Sequence, residues 1–321
     1  MKIRKSLLAC SLMGGLFASD PARGTVYVTN FRDGTVSSVP DTGGAATLFA
    51  TGLTKTQGIT IAPSGTIYVA SQFSPTQATA VIHTLSPSGT VTPFVTIPGR
   101  GFTGLTHDSA GNLYVSLANA DVIDMITPGG AIATYATGVG HPQGLAFDSA
   151  GNLFVADYGG SRITKVAPGG GAATLFATLV NPEGIAVDPL GNVYASGFAN
   201  GVVEKFSPLG LDLGIYSTVT NPYGLMFDSS GNLLVTSSAP GGIGSTVFKI
   251  PPGGGAASTF ATGFNGPLYI AIPSAATGVP LPPALYAALL CLPVALLFRR
   301  TRERGLLSIR ADKETLFNRN E

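Results

Sequence analysis

The stretch GLAFDSAGNLFVADYGGSRITKVAPGGGAATLFATLVNPEGIAVDPLGNVYASG, residues 144–197, states one phrase twice: GLAFDSAGNLFVADY from Gly144 returns forty residues later as GIAVDPLGNVYASG from Gly184. The nucleus of the phrase is Gly, then Asn or Thr, an aliphatic residue, an aromatic and Val. It recurs as GTVYV from Gly24, GTIYV from Gly65, GNLYV from Gly111, GNLFV from Gly151, GNVYA from Gly191 and, with Leu for the aromatic, GNLLV from Gly231. The intervals are 41, 46, 40, 40 and 40 residues. Between two occurrences there is room for three more short strands, as in SRITKVAP (161–168), AATLFAT (172–178) and PEGIAVD (182–188).

Four short strands in about forty residues is the period of a propeller blade. With the GIAVD-type strand taken as innermost (a), the chain opens at strand b, Gly24–Val28, with no a strand before it. It closes on Pro267–Pro273 (PLYIAIP), an a strand with no b after it. The fragments complete one blade, so the reading is an all-β, six-bladed β-propeller whose N- and C-terminal strands close the ring in a shared blade and leave no open sheet edge.

Turn chemistry fixes the register. Asp148-Ser149-Ala150-Gly151-Asn152, Asp188-Pro189-Leu190-Gly191-Asn192 and Asp228-Ser229-Ser230-Gly231-Asn232 join strand a to strand b. Asp opens such a turn by accepting local backbone N–H groups, and the Gly three residues on supplies a positive φ. Asp108, Asp148, Asp188 and Asp228 therefore have structural work and are not read as metal ligands. The runs Pro168-Gly169-Gly170-Gly171 and Pro252-Gly253-Gly254-Gly255 lack the Lys-Ser/Thr and following helix of a phosphate loop and read as c–d turns.

Composition agrees with many short strands. Gly (43) and Pro (23) make about a fifth of the 321 residues, charged residues only 11% and apolar ones 45%, which argues against disorder. Residues 19–274 carry eight basic and thirteen acidic groups, so the body is mildly acidic and lacks the clustered Lys and Arg of a nucleic-acid surface.

The ends differ from the body. Lys2, Arg4 and Lys5 precede the apolar run 6–18, the pattern of a secretory signal peptide over residues 1–18. A lipoprotein-like box ending at Cys10 is the weaker reading there. Residues 19–274 form the propeller and 275–280 a linker. Leu281–Phe298 has no charge across 18 residues, suits a transmembrane helix, and runs into Arg299, Arg300, Arg302 and Arg304, a stop that assigns the tail 299–321 to the cytoplasm. The two cysteines, Cys10 and Cys291, both lie in these end segments, so the exported body has neither a disulfide nor a thiolate metal site.

Two resemblances add to this. Val279-Pro280-Leu281-Pro282, an apolar span and an Arg cluster are similar to the tripartite PEP-CTERM sorting signals of Gram-negative bacteria. That resemblance implies processing by an exosortase-type enzyme and delivery from a membrane-anchored precursor to the cell surface or extracellular matrix. HPQGLAFDSAGNLFVADYGGSRITKVAPGGG, residues 141–171, resembles NHL repeats and the related gluconolactonase and streptogramin-lyase propellers. The likeness runs over about residues 24–274 and implies the fold; the scaffold hosts hydrolases, lyases and pure binding modules alike. Asp157 and Arg162 match the repeat's D…R-I and should form a structural ion pair or a turn contact.

The residue between Pro and Gly at each a-strand start should face the central channel mouth: Gln57, Thr103, Gln143, Glu183 and Tyr223, with Gly266 near the sixth position. His141, Asn181, Asn221 and Asn265 precede those strands, and the two longest b–c loops, Ser71–Val81 and Ser237–Ser245, lie on the same face, as expected of a binding face. The lactonases that the chain resembles draw two carboxylates and two Asn from such positions. Here Glu183 alone is acidic, so no resident cofactor is expected beyond, at most, a divalent cation near Glu183. Streptogramin-type lyases use a His with a nearby acid, which makes His141 and Glu183 the catalytic candidates. His83 and His107 read as packing or surface residues. The expectation is an exported binding or matrix module for an extracellular polysaccharide or protein, with a lactonase- or lyase-like enzyme as the alternative.

Overall fold

A forty-residue unit whose strands bury one face each cannot bury both faces alone, so successive units stack around an axis. The computed structural model describes residues 24–72, 80–97, 101, 103–238 and 245–273. Among these there is no helix. They form six antiparallel blades. The signal-peptide, linker, sorting-motif, membrane-helix and tail expectations, and most of the two long loops, fall outside them.

Blade 1 is the closing blade. Its innermost strand, Pro267–Ala271, pairs with Thr25–Asn30, which pairs with Thr35–Pro40 and then Thr47–Ala50. Tyr27 faces Ala271 and Val28 faces Ile270 across this seam. Asn30 fixes it from the side, because its Oδ1 accepts the Asn265 N–H at 3.2 Å. Blades 2 to 6 follow in chain order, their innermost strands being Thr56–Ile61, Leu105–His107, Pro142–Phe147, Pro182–Val187 and Pro222–Phe227. These neighbour one another in sequence and the strand of blade 1 completes the ring. The core is accordingly divided into clusters between adjacent blades, each mixing aliphatic residues of strand b with the aromatic of strand d.

The Asp turns form as the spacing dictates. In blade 5 Asp188 Oδ1 accepts the N–H groups of Leu190 and Asn192, both at 2.9 Å, and its Oδ2 accepts the Asn192 side chain at 2.8 Å. The same set recurs at Asp108, Asp148 and Asp228. Asp157 and Arg162 make the expected ion pair at 2.7 Å, with the carboxylate fully buried. The Gly-rich c–d turns do more than reverse the chain. Each reaches the outer strand of the preceding blade: Gly255 N–H donates to the Tyr216 carbonyl at 2.8 Å, and Gly171-Ala172 pairs in parallel with Ala136-Thr137. A Cβ on Gly254 would stand 2.5 Å from the Tyr216 carbonyl oxygen, so only Gly admits this contact.

Candidate functional site

The Pro-x-Gly starts of strand a are β-bulges. Register shifts fall between Pro142 and Leu145, between Pro182 and Ile185, and between Pro222 and Leu225. A bulge re-aims the side chain it carries, and here it turns residue x toward the axis. The Gly is required by closeness. A Cβ on Gly184 would lie 2.0 Å from the Tyr223 carbonyl oxygen, and one on Gly144 2.5 Å from that of Glu183.

A hydroxyl on strand b completes this inner ring. Ser196 Oγ accepts the Gly184 N–H of its own blade at 2.7 Å and donates to the Tyr223 carbonyl of the next at 2.6 Å. Ser116 does the same between Gly104 and Gln143, and Thr236 between Gly224 and Leu268. These equivalences correct one assignment. The sixth x position is Leu268, and Gly266 occupies the left-handed position before Pro267, with φ 70°. Tyr269 therefore stands where the other five blades have Gly, and its N–H donates to Thr29 Oγ1 at 3.1 Å as the Gly amides do to their hydroxyls.

Tyr269 lines one of two cavities and meets the wall of the other through Tyr223. The latter is a mouth cavity of about 730 Å³, walled by Gln57, Thr103, Tyr223 and Leu268 from four different blades, together with Arg32 and Lys55. The former, of about 250 Å³, is lined by Tyr269, Ile185, Leu225 and other apolar residues of the inner strands, with His107 at its end. Gln143 and Glu183, 5% and 6% exposed, line neither cavity. The rings of Tyr223 and Tyr269 meet edge to face at 5.6 Å. Burial pushes the Glu183 carboxyl up to about 8, against which a hydrogen bond from Tyr223 acts only in part. Glu183 is thus a neutral acid at pH 7. Gln143 Oε1, Glu183 Oε2 and the Tyr269 hydroxyl make no hydrogen bond within the protein.

Of the five x residues, Gln57, Thr103 and Tyr223 line the mouth, while Gln143 and Glu183, buried to a similar degree as Gln57 and Thr103, do not. His141 goes elsewhere. It is exposed and left-handed, with φ 47°, a conformation shared by Asn181 and Asn221 at the same repeat position. Its N–H donates to Asp121 Oδ1 at 2.7 Å and its ring lies 5.8 Å from that of Tyr158. His83 sits in the c strand of blade 2, where its Nδ1 meets Ser71 Oγ at 3.2 Å. His107 Nδ1 meets Thr60 Oγ1 of the preceding blade at 2.7 Å. Among the described residues no three His, Cys, Asp or Glu side chains cluster as metal ligands would.

Four mouth residues were not anticipated: Phe31, Arg32, Lys55 and Phe198. Aligning every repeat position finds three of them. Phe31 and Phe198 directly follow strand b, as Tyr158 does, and Lys55 occupies the left-handed position of His141, Asn181 and Asn221, with φ 45°. Its ammonium lies 5.5 Å from the centre of the Phe31 ring.

The repeat has a known counterpart. Residues 140–166 match the NHL repeat family. This NHL repeat is blade 4 from the end of its d–a connection to the end of strand c, and the other blades reproduce its geometry. The propeller also resembles solved structures. One belongs to a nidogen/laminin complex, at 16% identity over 77% of this chain and 97% of that one, TM-score 0.64. Another is a streptogramin B lyase, at 16% identity over 79% and 88%, TM-score 0.57. A third is a catalytically inactive virginiamycin B lyase from Staphylococcus aureus with quinupristin, at 18% identity over 76% and 77%, TM-score 0.52. At such identities the likeness establishes the fold. No curated protein sequence matches the chain significantly.

Proposed function

We propose that this chain is an exported β-propeller that binds an anionic extracellular ligand, an acidic polysaccharide or an acidic segment of protein, in its channel mouth. The observation that carries this reading is the mouth itself. It is a ligand-sized cup walled from several blades, with Arg32 and Lys55 on its rim, the rings of Phe31, Phe198 and Tyr223 in its wall, and no carboxylate among the described residues of its lining. Cations beside aromatic faces suit an anionic ligand with ring or sugar surfaces. Export is supported by the charged-then-apolar start, and surface delivery with exosortase-type processing by Val279–Pro282 and the Arg cluster. The experiment is affinity electrophoresis of the full chain in gels containing alginate or neutral dextran. Retardation by alginate alone, weakened at least tenfold in the double variant Arg32→Ala/Lys55→Ala, is the expected result. Equal migration in both gels, with no response to an acidic peptide either, would remove the reading.

Catalysis beside the mouth, at the buried Glu183, is the second reading, and one observation favours it. Burial pushes the Glu183 carboxyl up to about 8, into the range that suits a general acid working near neutrality. Hydrolysis of a lactone probe, or lyase cleavage of a cyclic depsipeptide ester, that Glu183→Gln abolishes would establish it.

A further inference from the structure

The residue that faces the b-strand aromatic from strand c is Lys in blades 4 and 5, Met in blade 3, and Thr84 and Ser38 opposite Tyr68 and Tyr27 in blades 2 and 1, and in blade 3 this leaves a three-ring aromatic box without a cation. In blade 4 Phe154 faces Lys165, and in blade 5 Tyr194 faces Lys205. Lys165 places its ammonium 5.3 Å from the Phe154 ring centre, and Lys205 places its own 5.1 Å from Tyr194 and 5.9 Å from Tyr216. The blade 5 box is three-sided, with Tyr194–Tyr216 at 4.8 Å and Tyr194–Phe227 at 5.1 Å. Its Tyr194 hydroxyl donates to Asp188 at 3.1 Å. A chain-borne ammonium fills the box, held by the ring faces.

Blade 3 repeats that box closely. Tyr114–Tyr135 are 4.7 Å apart and Tyr114–Phe147 4.8 Å, again edge to face, and the Tyr114 hydroxyl donates to Asp108 at 2.9 Å. The residue facing Tyr114, however, is Met125. The result is a cleft of about 700 Å³ between blades 3 and 4, lined by Tyr114, Met125, Tyr135, Phe147, Asp108 and Asp148. Its electrostatics favour a cation. Although partial burial opposes it, hydrogen bonds from Asn112, Tyr114 and Ala110 bring the Asp108 carboxyl below its ordinary value. Burial pushes the His107 imidazole at the cleft edge below its ordinary value too, against the pull of Asp108, so at neutral pH it adds no positive charge. Tyr114 and Tyr135 are neutral phenols there, with pKa values raised chiefly by burial.

We propose that this cleft, on the face opposite the mouth, receives a lysine side chain presented by another protein, its ammonium taking the place that Lys205 holds in blade 5. A four-carbon stem reaches such a box in blade 5, and the body's excess of acidic over basic groups attracts a basic partner. The inference is independent of the mouth.

The test is ligand-observed saturation-transfer NMR on the full chain with Nα-acetyl-lysine amide, Nα-acetyl-norleucine amide and n-butylammonium. The lysine probe should bind in the millimolar range and the norleucine probe should not. Met125→Lys, which fills the box from within, should weaken the lysine probe at least tenfold while melting no lower than the parent. Lys205→Met, which empties the second box, should about double the binding capacity. The second variant keeps the proposal testable should the first fail to fold. It is overturned if lysine and norleucine probes respond alike, if Met125→Lys folds and binds unchanged, if Lys205→Met adds no capacity, or if n-butylammonium binds and the lysine probe does not.

Discussion

Glu183 shows what a single residue contributes through its surroundings. In the unfolded chain its carboxyl ionises near 4.5, whereas in the folded protein burial holds it up to about 8. Between those values the unfolded state has released a proton that the folded state still binds, so this residue's contribution to stability is full below pH 4.5 and is lost as pH rises toward 8. Glu183→Gln, which cannot ionise, should therefore gain stability relative to the parent as pH increases from 5 to 8; parallel melting curves across that range would contradict the burial argument. Gly184 is the complementary case. Its missing Cβ leaves room for the Tyr223 carbonyl, so Gly184→Ala should destabilise the protein by roughly 3 kcal/mol, measured by denaturant unfolding. The Pro-x-Gly phrase made both positions legible in the sequence. What it could not convey was access: Gln57 and Glu183 share a repeat position and are almost equally buried, yet Gln57 lines the mouth and Glu183 does not.

Strand b is the element that holds the inner ring together. Ser196 connects the Gly184 amide of its own blade to the Tyr223 carbonyl of the next. Ser196→Ala should cost about 1–3 kcal/mol, since it strands a buried donor and a buried acceptor together; an unfolding midpoint within error of the parent would show that the bulge relaxes to satisfy them. Element boundaries were largely readable, because Asp-x-x-Gly-Asn turns and alternating Val, Ile and aromatic residues fix register locally. The straps that the c–d glycines throw across to the preceding blade were not. They are contacts between residues nearly forty positions apart, and the sequence of one turn carries no sign of them.

At the scale of the whole molecule, six blades and their closure followed from counting strands at the two ends, and the pairing of Val28 with Ile270 is that count in three dimensions. Ending the chain before Pro267 should expose two edges and abolish a single cooperative unfolding transition, as followed by circular dichroism, whereas ending it after Pro273 should leave melting unchanged. The closing blade has a further consequence, one of timing. Asn30 is among the first residues of the propeller to be synthesised, and the Asn265 amide it accepts is made 235 residues later. For nearly the whole of synthesis, strand Thr25–Asn30 carries an unpaired edge able to recruit any extended segment nearby, including the same strand of a second nascent chain. Contacts so distant in sequence are slow to form, so the earliest strand made depends longest on protection from neighbours until the last one arrives.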